Sequence, residues 1–135
     1  MREPLKALSV TPCWAHAIIH LGKGIENRTW QRAYRGPLLI HAGKKFDEEE
    51  LENIRTRAFE HGMRLPTKDE ITIGGIIGIL NFVDVVEESD DPWFNGPIGW
   101  VFKTRRKLPF LPLKGQLGIF NVNPPLAWLR KAKLA

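Results

Sequence analysis

Hydrophobic residues in the first third of the chain follow two different periods. Leu5–Val10 carries apolar residues on one face and is typical of a short β-strand. Over residues 13–21 the apolar residues recur every three or four positions, which predicts a helix docked on a core; they are Trp14, Ala17, Ile18 and Leu21. The pair Thr11-Pro12 suits the start of that helix, since Thr can cap it and Pro fits its first position. Gly22 suits its end.

The middle of the chain predicts one buried strand and one amphipathic helix. Leu38–Ala42 is apolar on both faces, as in the central strand of a sheet. Asp47, followed three residues later by Glu50, forms an approximate capping box for a second helix. The buried stripe of that helix is expected to consist of Leu51, Ile54, Ala58 and Phe59. Gly62 then marks its end, and residues 63–72 form a mostly polar loop.

The second half of the chain predicts strands separated by polar turns. Residues 73–86 are apolar but interrupted by glycines, which indicates a long strand with a bulge or a bent pair of strands. Residues 99–103 and 117–122 are predicted strands. Between them lie a basic loop at residues 104–107 and an irregular or edge stretch with two prolines at residues 109–112.

The order of these elements favours an α+β fold. Two early helices followed by short, bent strands predict a small mixed β-barrel flanked by two or three helices, rather than a doubly wound sheet. Residues 1–123 are expected to form one domain. Pro124-Pro125 opens a short basic C-terminal tail, residues 124–135, which can form a helical turn. Its expected anchors are Leu126 and either Trp128 or Leu129.

Composition narrows the class of protein further. The chain has 135 residues, 43% of them hydrophobic, and a formal net charge of +5, which suits RNA or DNA but equally suits solubility alone. Its one cysteine, Cys13, excludes an internal disulfide and a cysteine-only zinc site. The first residues lack the apolar run of a signal peptide, so we expect none, and the sequence has no membrane-spanning apolar run and no glycine-rich phosphate fingerprint. We therefore expect a cytoplasmic protein without a membrane association, cofactor or metal.

The segment from Lys23 to Trp30 carries charge where a strand normally carries apolar residues. If it is extended, Glu26, Arg28 and Trp30 share one face, and Lys23 reaches the same place from the preceding turn. Such groups are costly to bury unless they pair or meet a ligand. They can hold a phosphate or a base edge, or Glu26 can act as a general base. Alternatively, they form a structural ion pair.

This charged motif and its flanking blocks match a known domain pattern. The matching segments are Leu8-Ser9-Val10, Pro12, Trp14-Ala15, Lys23-x-x-Glu26-x-Arg28-x-Trp30, Arg35–Ala42, and blocks near residues 74–84, 100–102 and 114–115. Together they cover residues 8–122, and they resemble the ASCH domain family of the PUA-like superfamily. The family signature places a glycine two positions before the lysine, where this chain has Leu21, with Gly22 following one position later.

The resemblance implies both a fold and a site. The fold is a PUA-like β-barrel flanked by helices, with a cleft between the first helix and the barrel lined by Lys23, Glu26 and Arg28. The ligands it implies are RNA or nucleotide-like molecules. One amidohydrolase of the superfamily uses a lysine that Lys23 matches and a threonine where this chain has Glu26. That activity is therefore not carried over.

Other side chains are further candidates for the same site. The basic groups that can extend it as a phosphate track are Arg32, Arg35, Lys44, Lys45, Arg105, Arg106 and Lys107, unless they are scattered over solvated loops. Trp30 can stack a base, whereas Trp14 is expected in the core. His16 and His20 have the spacing of zinc ligands but no third ligand, so we expect two exposed histidines. His41 is expected to donate a hydrogen bond within its strand, and Cys13 to be a half-buried structural thiol.

The first hypothesis is an RNA- or nucleic-acid-binding module that uses the cleft of Lys23, Glu26 and Arg28. The alternative is a hydrolase in the same cleft, acting on RNA or a modified nucleoside as a ribonuclease or amidohydrolase, with Lys23 activating and Glu26 as base. No Ser-His-Asp or Cys-His signature supports nucleophilic catalysis. A third hypothesis is a protein-interaction adaptor that uses the tail around Trp128. The expected partner is thus a nucleic acid or a nucleotide-like small molecule, with a protein partner possible.

Overall fold

The computed structural model of the chain describes residues 3–135 as one mixed sheet with three α-helices. The strands are β1 (Leu5–Val10), β2 (Ile25–Arg28), β3 (Gly36–Ala42), β4 (Gly75–Val86), β5 (Ile98–Pro112) and β6 (Ile119–Val122). The helices are α1 (Pro12–His20), α2 (Glu48–Glu60) and α3 (Leu126–Lys131), and a short 3-10 turn covers Lys68–Glu70. The predicted α+β class is confirmed.

The six strands follow the order β2-β5-β4-β3-β1-β6. β1 and β3 are parallel, and the other neighbours are antiparallel. Within residues 3–135 no backbone ladder joins the edge strand β2 to β6 or to β1, so the sheet is open and the predicted barrel is not closed by strand pairing. A side chain spans the gap instead: Arg28 on β2 donates to the carbonyl oxygen of Ser9 on β1 at 3.3 Å.

The central position of β3 is confirmed. Leu38, Leu39 and Ile40 are fully buried because β1 and β4 flank this strand and both of its faces are covered. Its side chains alternate between two clusters, with Leu38 and Ile40 packing toward α1 and Leu39 packing toward α3. The sheet thus carries one core on each face.

The helix α1 is more deeply buried than a single apolar stripe predicts. Ile18 packs on the sheet, whereas Ala17 and Leu21 pack with the first residues of α2 and with β2. The helix therefore lies between the sheet and α2, and it delivers the chain to the start of β2. Trp14 is half-buried and lies at the boundary of both clusters.

The predicted basic loop at residues 104–107 is in fact part of β5. A bulge against β4 lies there, and Thr104 adopts a left-handed conformation with φ 53°. The charged side chains are tolerated because β2 covers only Ile98–Val101, so the later part of β5 pairs on one side alone. Pro109 and Pro112 lie in that one-sided part, as the edge prediction requires.

The second helix starts as predicted but departs from the pattern in two places. Asp47 accepts hydrogen bonds from the backbone nitrogens of Glu49 and Glu50. The Glu50 carboxylate does not return to the cap, since it accepts from Thr11 Oγ1 at 2.7 Å and so ties α2 to the start of α1. Phe59 was expected in the buried stripe but is 74% exposed, because no element covers that side of the last turn.

The C-terminal residues pack on the same sheet. Trp128 and Leu129 are buried with Phe120 and Val122 of β6, and Trp128 Nε1 donates to the carbonyl oxygen of Pro109 at 3.0 Å. Leu126, an expected anchor, is 45% exposed. Of the helices formed by residues 3–135, none has the length and apolar character needed to cross a bilayer.

Candidate functional site

The three charged residues of the motif form a buried triad. Lys23 Nζ donates to the carbonyl oxygen of Ile25 at 2.5 Å and to Glu26 Oε1 at 3.0 Å. The other carboxylate oxygen, Glu26 Oε2, lies 3.1 Å from Nη2 of Arg28. Lys23 is 2% exposed and Glu26 is 9% exposed. Each oxygen of the carboxylate therefore has its own cation, which offsets the cost of burying three charges.

The turn at the end of α1 directs the Lys23 side chain toward Glu26. Gly22 has φ +72°, a left-handed conformation that suits glycine, and the backbone nitrogens of Leu21 and Lys23 both donate to the carbonyl oxygen of Ala17. The chain thus turns sharply at Gly22. Gly24 continues the turn into β2, where the backbone nitrogen of Phe102 donates to its carbonyl oxygen.

Asn27 fixes a distant loop beside the triad. Its Nδ2 donates to the carbonyl oxygen of Trp93 at 3.0 Å, and its Oδ1 accepts from the backbone nitrogen of Asn95 at 2.8 Å. Asp91 Oδ1 accepts from the backbone nitrogen of Trp93, which closes the turn that precedes this pair. Asn27 lies between Glu26 and Arg28 in the sequence. The same strand therefore positions the charged side chains of the triad and holds this loop beside them.

Two members of the triad, Lys23 and Glu26, enclose a cavity of about 230 Å³ together with this loop, whereas Arg28 does not line it. Its lining is both aromatic and polar, and consists of Trp14, Lys23, Glu26, Asn27, Arg57, Trp93 and Asn95. The rings of Trp14 and Trp93 stand nearly perpendicular, at 88°, with centroids 6.3 Å apart. Lys23 Nζ lies 5.5 Å from the Trp14 ring centroid. We refer to this space as the Trp14 cavity.

Arg57 brings a further cation to the cavity from α2. Its guanidinium carbon lies 5.4 Å from the Trp93 ring centroid, and its Nη1 donates to the carbonyl oxygen of Pro92 at 2.8 Å. The residue is half-buried. A positive charge held against an indole is a common arrangement where a protein contacts an anion or an aromatic ligand.

Trp30 lies beside the triad but does not line the Trp14 cavity. Its ring packs edge-to-face against Trp100, with centroids 5.0 Å apart, and its carbonyl oxygen accepts from Trp100 Nε1. The guanidinium of Arg32 covers the Trp30 ring at 3.7 Å from the centroid. Trp30 therefore carries a cation on its face and packs on the core.

The predicted basic residues lie at several different places. Arg35 lies over the ring of Phe82, 4.7 Å from its centroid. Lys44 and Lys45 are exposed just after β3. Arg105 and Arg106 line a shallow cavity on β4 and β5. The guanidinium of Arg105 also lies next to Gly24, since a Cβ atom at Gly24 would be 3.4 Å from its Nη2. None of these residues lines the Trp14 cavity.

His41 is satisfied within the sheet, as predicted. It is 2% exposed, its Nε2 lies 2.6 Å from the carbonyl oxygen of Leu113, and its Nδ1 lies 3.0 Å from Ser9 Oγ. Sequence reasoning did not connect Ser9 with His41. Their proximity follows from the parallel register of β1 and β3, in which the two residues are direct partners.

His16 and Cys13, two further residues named from the sequence, are both buried. His16 was expected to be exposed but is buried, with its ring 4.8 Å from that of His20; burial and the charge of His20 lower the pKa of His16 to about 4. Burial foremost, together with the charge of Glu50, raises the pKa of the Cys13 thiol to about 11, so Cys13 stays protonated.

Sequence reasoning missed four residues of the Trp14 cavity: Asn27, Arg57, Trp93 and Asn95. The available signal was the segment from Asp91 to Pro97, in which two aromatic residues and an asparagine lie between two prolines. Aromatic residues in such a turn-rich loop need a partner elsewhere in the fold.

No protein-family model matches the chain, and no curated protein matches it.

Proposed function

We propose that the chain is an RNA- or nucleic-acid-binding module with a PUA-like, ASCH-type fold, and that the Trp14 cavity is its ligand site. The observation that carries the proposal is the lining of that cavity. Two indoles, the buried carboxylate of Glu26 and the cations Lys23 and Arg57 meet in one space. The resemblance of the motif to the ASCH family supports the same site, because Lys23 and Glu26 of that motif line the cavity and Arg28 pairs with Glu26.

The size and chemistry of the cavity suit a single base. At about 230 Å³ it accommodates one heterocycle and excludes a stack of several bases. Two perpendicular indoles give a base one ring to stack on and another to meet at its edge. The Glu26 carboxylate can accept from an exocyclic amino group, while Lys23 or Arg57 can meet a ring acceptor or a phosphate.

Single-stranded nucleic acid is the form that such a site can read. A base within a duplex hides both faces and its pairing edge, whereas an unstacked base exposes all of them. The net charge of +5 adds a general attraction for the phosphate backbone. The exposed lysines and arginines outside the cavity contribute to that attraction wherever they lie.

A hydrolase acting on RNA or a modified nucleoside is the alternative for this cavity. It needs Glu26 to accept a proton. Both carboxylate oxygens are already paired with cations, Oε1 with Lys23 and Oε2 with Arg28, and this arrangement suits recognition better than proton transfer. Binding is therefore the function we favour. Cleavage of the RNA, followed on a gel, tests the alternative.

The test measures the anisotropy of a short fluorescent single-stranded RNA at about 50 mM and about 200 mM salt, with the same samples run on a gel. Arg57→Ala removes a cation that lines the cavity. Arg55→Ala is the matched control, because Arg55 lies on the same helix, is also half-buried and also donates to a loop carbonyl oxygen, that of Pro66. We expect Arg57→Ala to weaken binding about tenfold and Arg55→Ala to have little effect.

Three outcomes distinguish the hypotheses. Salt-sensitive binding of intact RNA that weakens only in Arg57→Ala supports the binding module. Cleavage that disappears in Glu26→Gln supports the hydrolase. Equal binding by the parent, Arg57→Ala and Arg55→Ala contradicts the assignment of the ligand to the Trp14 cavity.

A further inference from the structure

A second polar site lies on the sheet, apart from the Trp14 cavity. Ser9 and His41 lie side by side on the parallel strands β1 and β3, with Ser9 Oγ 3.0 Å from His41 Nδ1. Both line a cavity of about 620 Å³ that shares no lining residue with the Trp14 cavity. The alternation along β1 and β3 points both side chains away from the face that packs on α1, where Leu8 and Ile40 lie.

The hydrogen bonds fix where the proton of the imidazole resides. His41 Nε2 lies 2.6 Å from the carbonyl oxygen of Leu113, and a carbonyl oxygen can only accept. In the neutral ring Nε2 therefore carries the hydrogen, and Nδ1 presents its lone pair. The Ser9 hydroxyl must then donate to Nδ1. This is the proton arrangement of a serine activated by a general base, with a backbone carbonyl as the group that orients the base.

The third member of this arrangement lies on a segment that is hydrogen-bonded to the residue preceding β4. The backbone nitrogen of Leu113 donates to the carbonyl oxygen of Gly74 at 3.1 Å, which anchors the carbonyl that faces His41. Gly115 then lies close over the pair, since a Cβ atom there would be 2.8 Å from both Ser9 Oγ and His41 Cε1. Only glycine lets the backbone approach this closely while leaving the pair undisturbed.

The cavity around the pair has the chemistry of an anion-accepting pocket. Its remaining lining includes Lys44, Lys114 and Gln116, and no acidic residue. Two ammonium groups can attract a negatively charged substrate and stabilise an oxyanion that forms near Ser9. His41, in contrast, is 2% exposed, so the base is shielded from bulk water while Ser9 is only half-buried.

We propose that Ser9 and His41 form a hydrolytic dyad that cleaves small carboxylic esters whose acyl or alcohol part carries a negative charge. Ser9 Oγ attacks the ester carbonyl carbon as its proton passes to His41 Nδ1, and Leu113 O stabilises the imidazolium through Nε2–H. The tetrahedral adduct collapses, the bond to the alcohol oxygen breaks, and His41 returns the proton to that oxygen. Water then attacks the acyl-Ser9 carbonyl carbon as it gives a proton to the same nitrogen, the bond to Ser9 Oγ breaks, the carboxylic acid leaves, and His41 returns the proton to Ser9 Oγ.

The test of the nucleophile uses a fluorophosphonate probe on the whole chain. Attack by Ser9 forms an O–P bond and expels fluoride, so the adduct is stable and can be located by peptide mass spectrometry. The chain has only one other serine, Ser89, which serves as an internal control in every sample. We expect one adduct per chain, at Ser9, and none in Ser9→Ala. An unlabelled Ser9, or equal labelling of Ser9 and Ser89, overturns the proposal.

The test of the base uses His41→Gln, which keeps an amide donor for the carbonyl oxygen of Leu113 but provides no imidazole lone pair. We expect the labelling rate at Ser9 to fall at least about 100-fold. Far-UV circular dichroism shows whether the variant is folded, and His41→Asn, which also lacks the imidazole lone pair, is the second variant. A folded variant that labels at the parent's rate overturns the role of His41.

Hydrolysis of p-nitrophenyl esters tests the substrate class. We expect turnover of an ester with a free carboxylate to have a lower KM than that of p-nitrophenyl acetate. Lys44→Gln should raise that KM about tenfold for the charged ester, because an ammonium group that attracts its carboxylate is lost. Lys131→Gln on α3, outside the cavity, is the matched control. Equal KM values for the two esters in the parent protein contradict the charged-ester assignment.

Discussion

Arg28 on the edge strand β2 donates a hydrogen bond to the carbonyl oxygen of Ser9 on β1, although three strands separate β2 from β1 in the sheet. The same guanidinium also pairs with Glu26. Arg28 thus connects the buried triad with the strand that carries Ser9. The contact requires the sheet to curl, and the aromatic pair Phe82 and Trp100, stacked with ring centroids 4.8 Å apart, fills the concave side.

The first prediction concerns the triad. Glu26→Ala leaves Lys23 buried without its carboxylate, which typically costs about 3–5 kcal/mol of unfolding free energy. The control is Glu52→Ala, since the Glu52 side chain is 76% exposed and its ion pair with Arg55 is 3.8 Å long. Urea denaturation of both variants measures the difference. A loss for Glu26→Ala as small as that for Glu52→Ala would show that the triad does not stabilise the fold.

The second prediction concerns the loop that carries Trp93. Asn27→Ala removes two hydrogen bonds to that loop, each worth about 1 kcal/mol, and we expect a loss near 2 kcal/mol. Hydrogen exchange at the backbone nitrogen of Asn95 should accelerate, because that group loses its acceptor. Asn81→Ala is the control, because the exposed Asn81 bonds only to Thr104 Oγ1. Unchanged exchange at Asn95 would contradict the positioning role of Asn27.

Local patterns in the sequence were sufficient for the elements near the motif. The run at β3, the start of α1 at Pro12 and the shared face of Glu26 and Arg28 each depend on neighbours within a few residues, so periodicity predicted them. The triad could be proposed for the same reason. Its three members lie within six consecutive residues, and one turn brings them together.

The rest depended on contacts between distant segments. Trp93 is held at the site by Asn27, which is 66 residues away in sequence, and it contacts Trp14 and Arg57 there. The strand at residues 104–107 looked like a loop because its charges are tolerated only where β2 no longer covers β5. Phe59 looked buried because periodicity cannot tell which turn of a helix lacks a neighbour. Each of these facts is set by the tertiary arrangement.

The third prediction concerns close packing at the start of β4. A Cβ atom at Gly75 would lie 2.3 Å from the carbonyl oxygen of Leu111 on β5, and that backbone cannot move without breaking the ladder. Gly75→Ala should therefore lower the unfolding free energy by about 1–3 kcal/mol. Gly43→Ala is the control, because its Cβ would meet Val10 O at an ordinary 3.6 Å. Thermal melts of both variants measure the difference, and equal melting temperatures would contradict the packing argument.

The fourth prediction follows from the buried His16. Burial foremost, then the neighbouring His20, lowers its pKa from 6.5 to about 4, whereas Glu70 acts in the opposite direction and Arg64 adds to the lowering. In the unfolded chain His16 takes up a proton near its ordinary pKa, so between these two values the unfolded state binds more protons than the folded state. Stability must then fall as the pH drops through that window, by roughly 3 kcal/mol in total.

Urea denaturation between about pH 7 and about pH 4.5 measures this dependence. His16→Gln removes the titrating group, so its unfolding free energy should fall less steeply with acidification than that of the parent. His61→Gln is the matched control: His61 is exposed at the end of α2, and the parent's slope should persist in that variant. If the parent and His16→Gln lost stability equally across this range, the acid sensitivity would have to come from other groups, and burial of a neutral His16 would not be its cause.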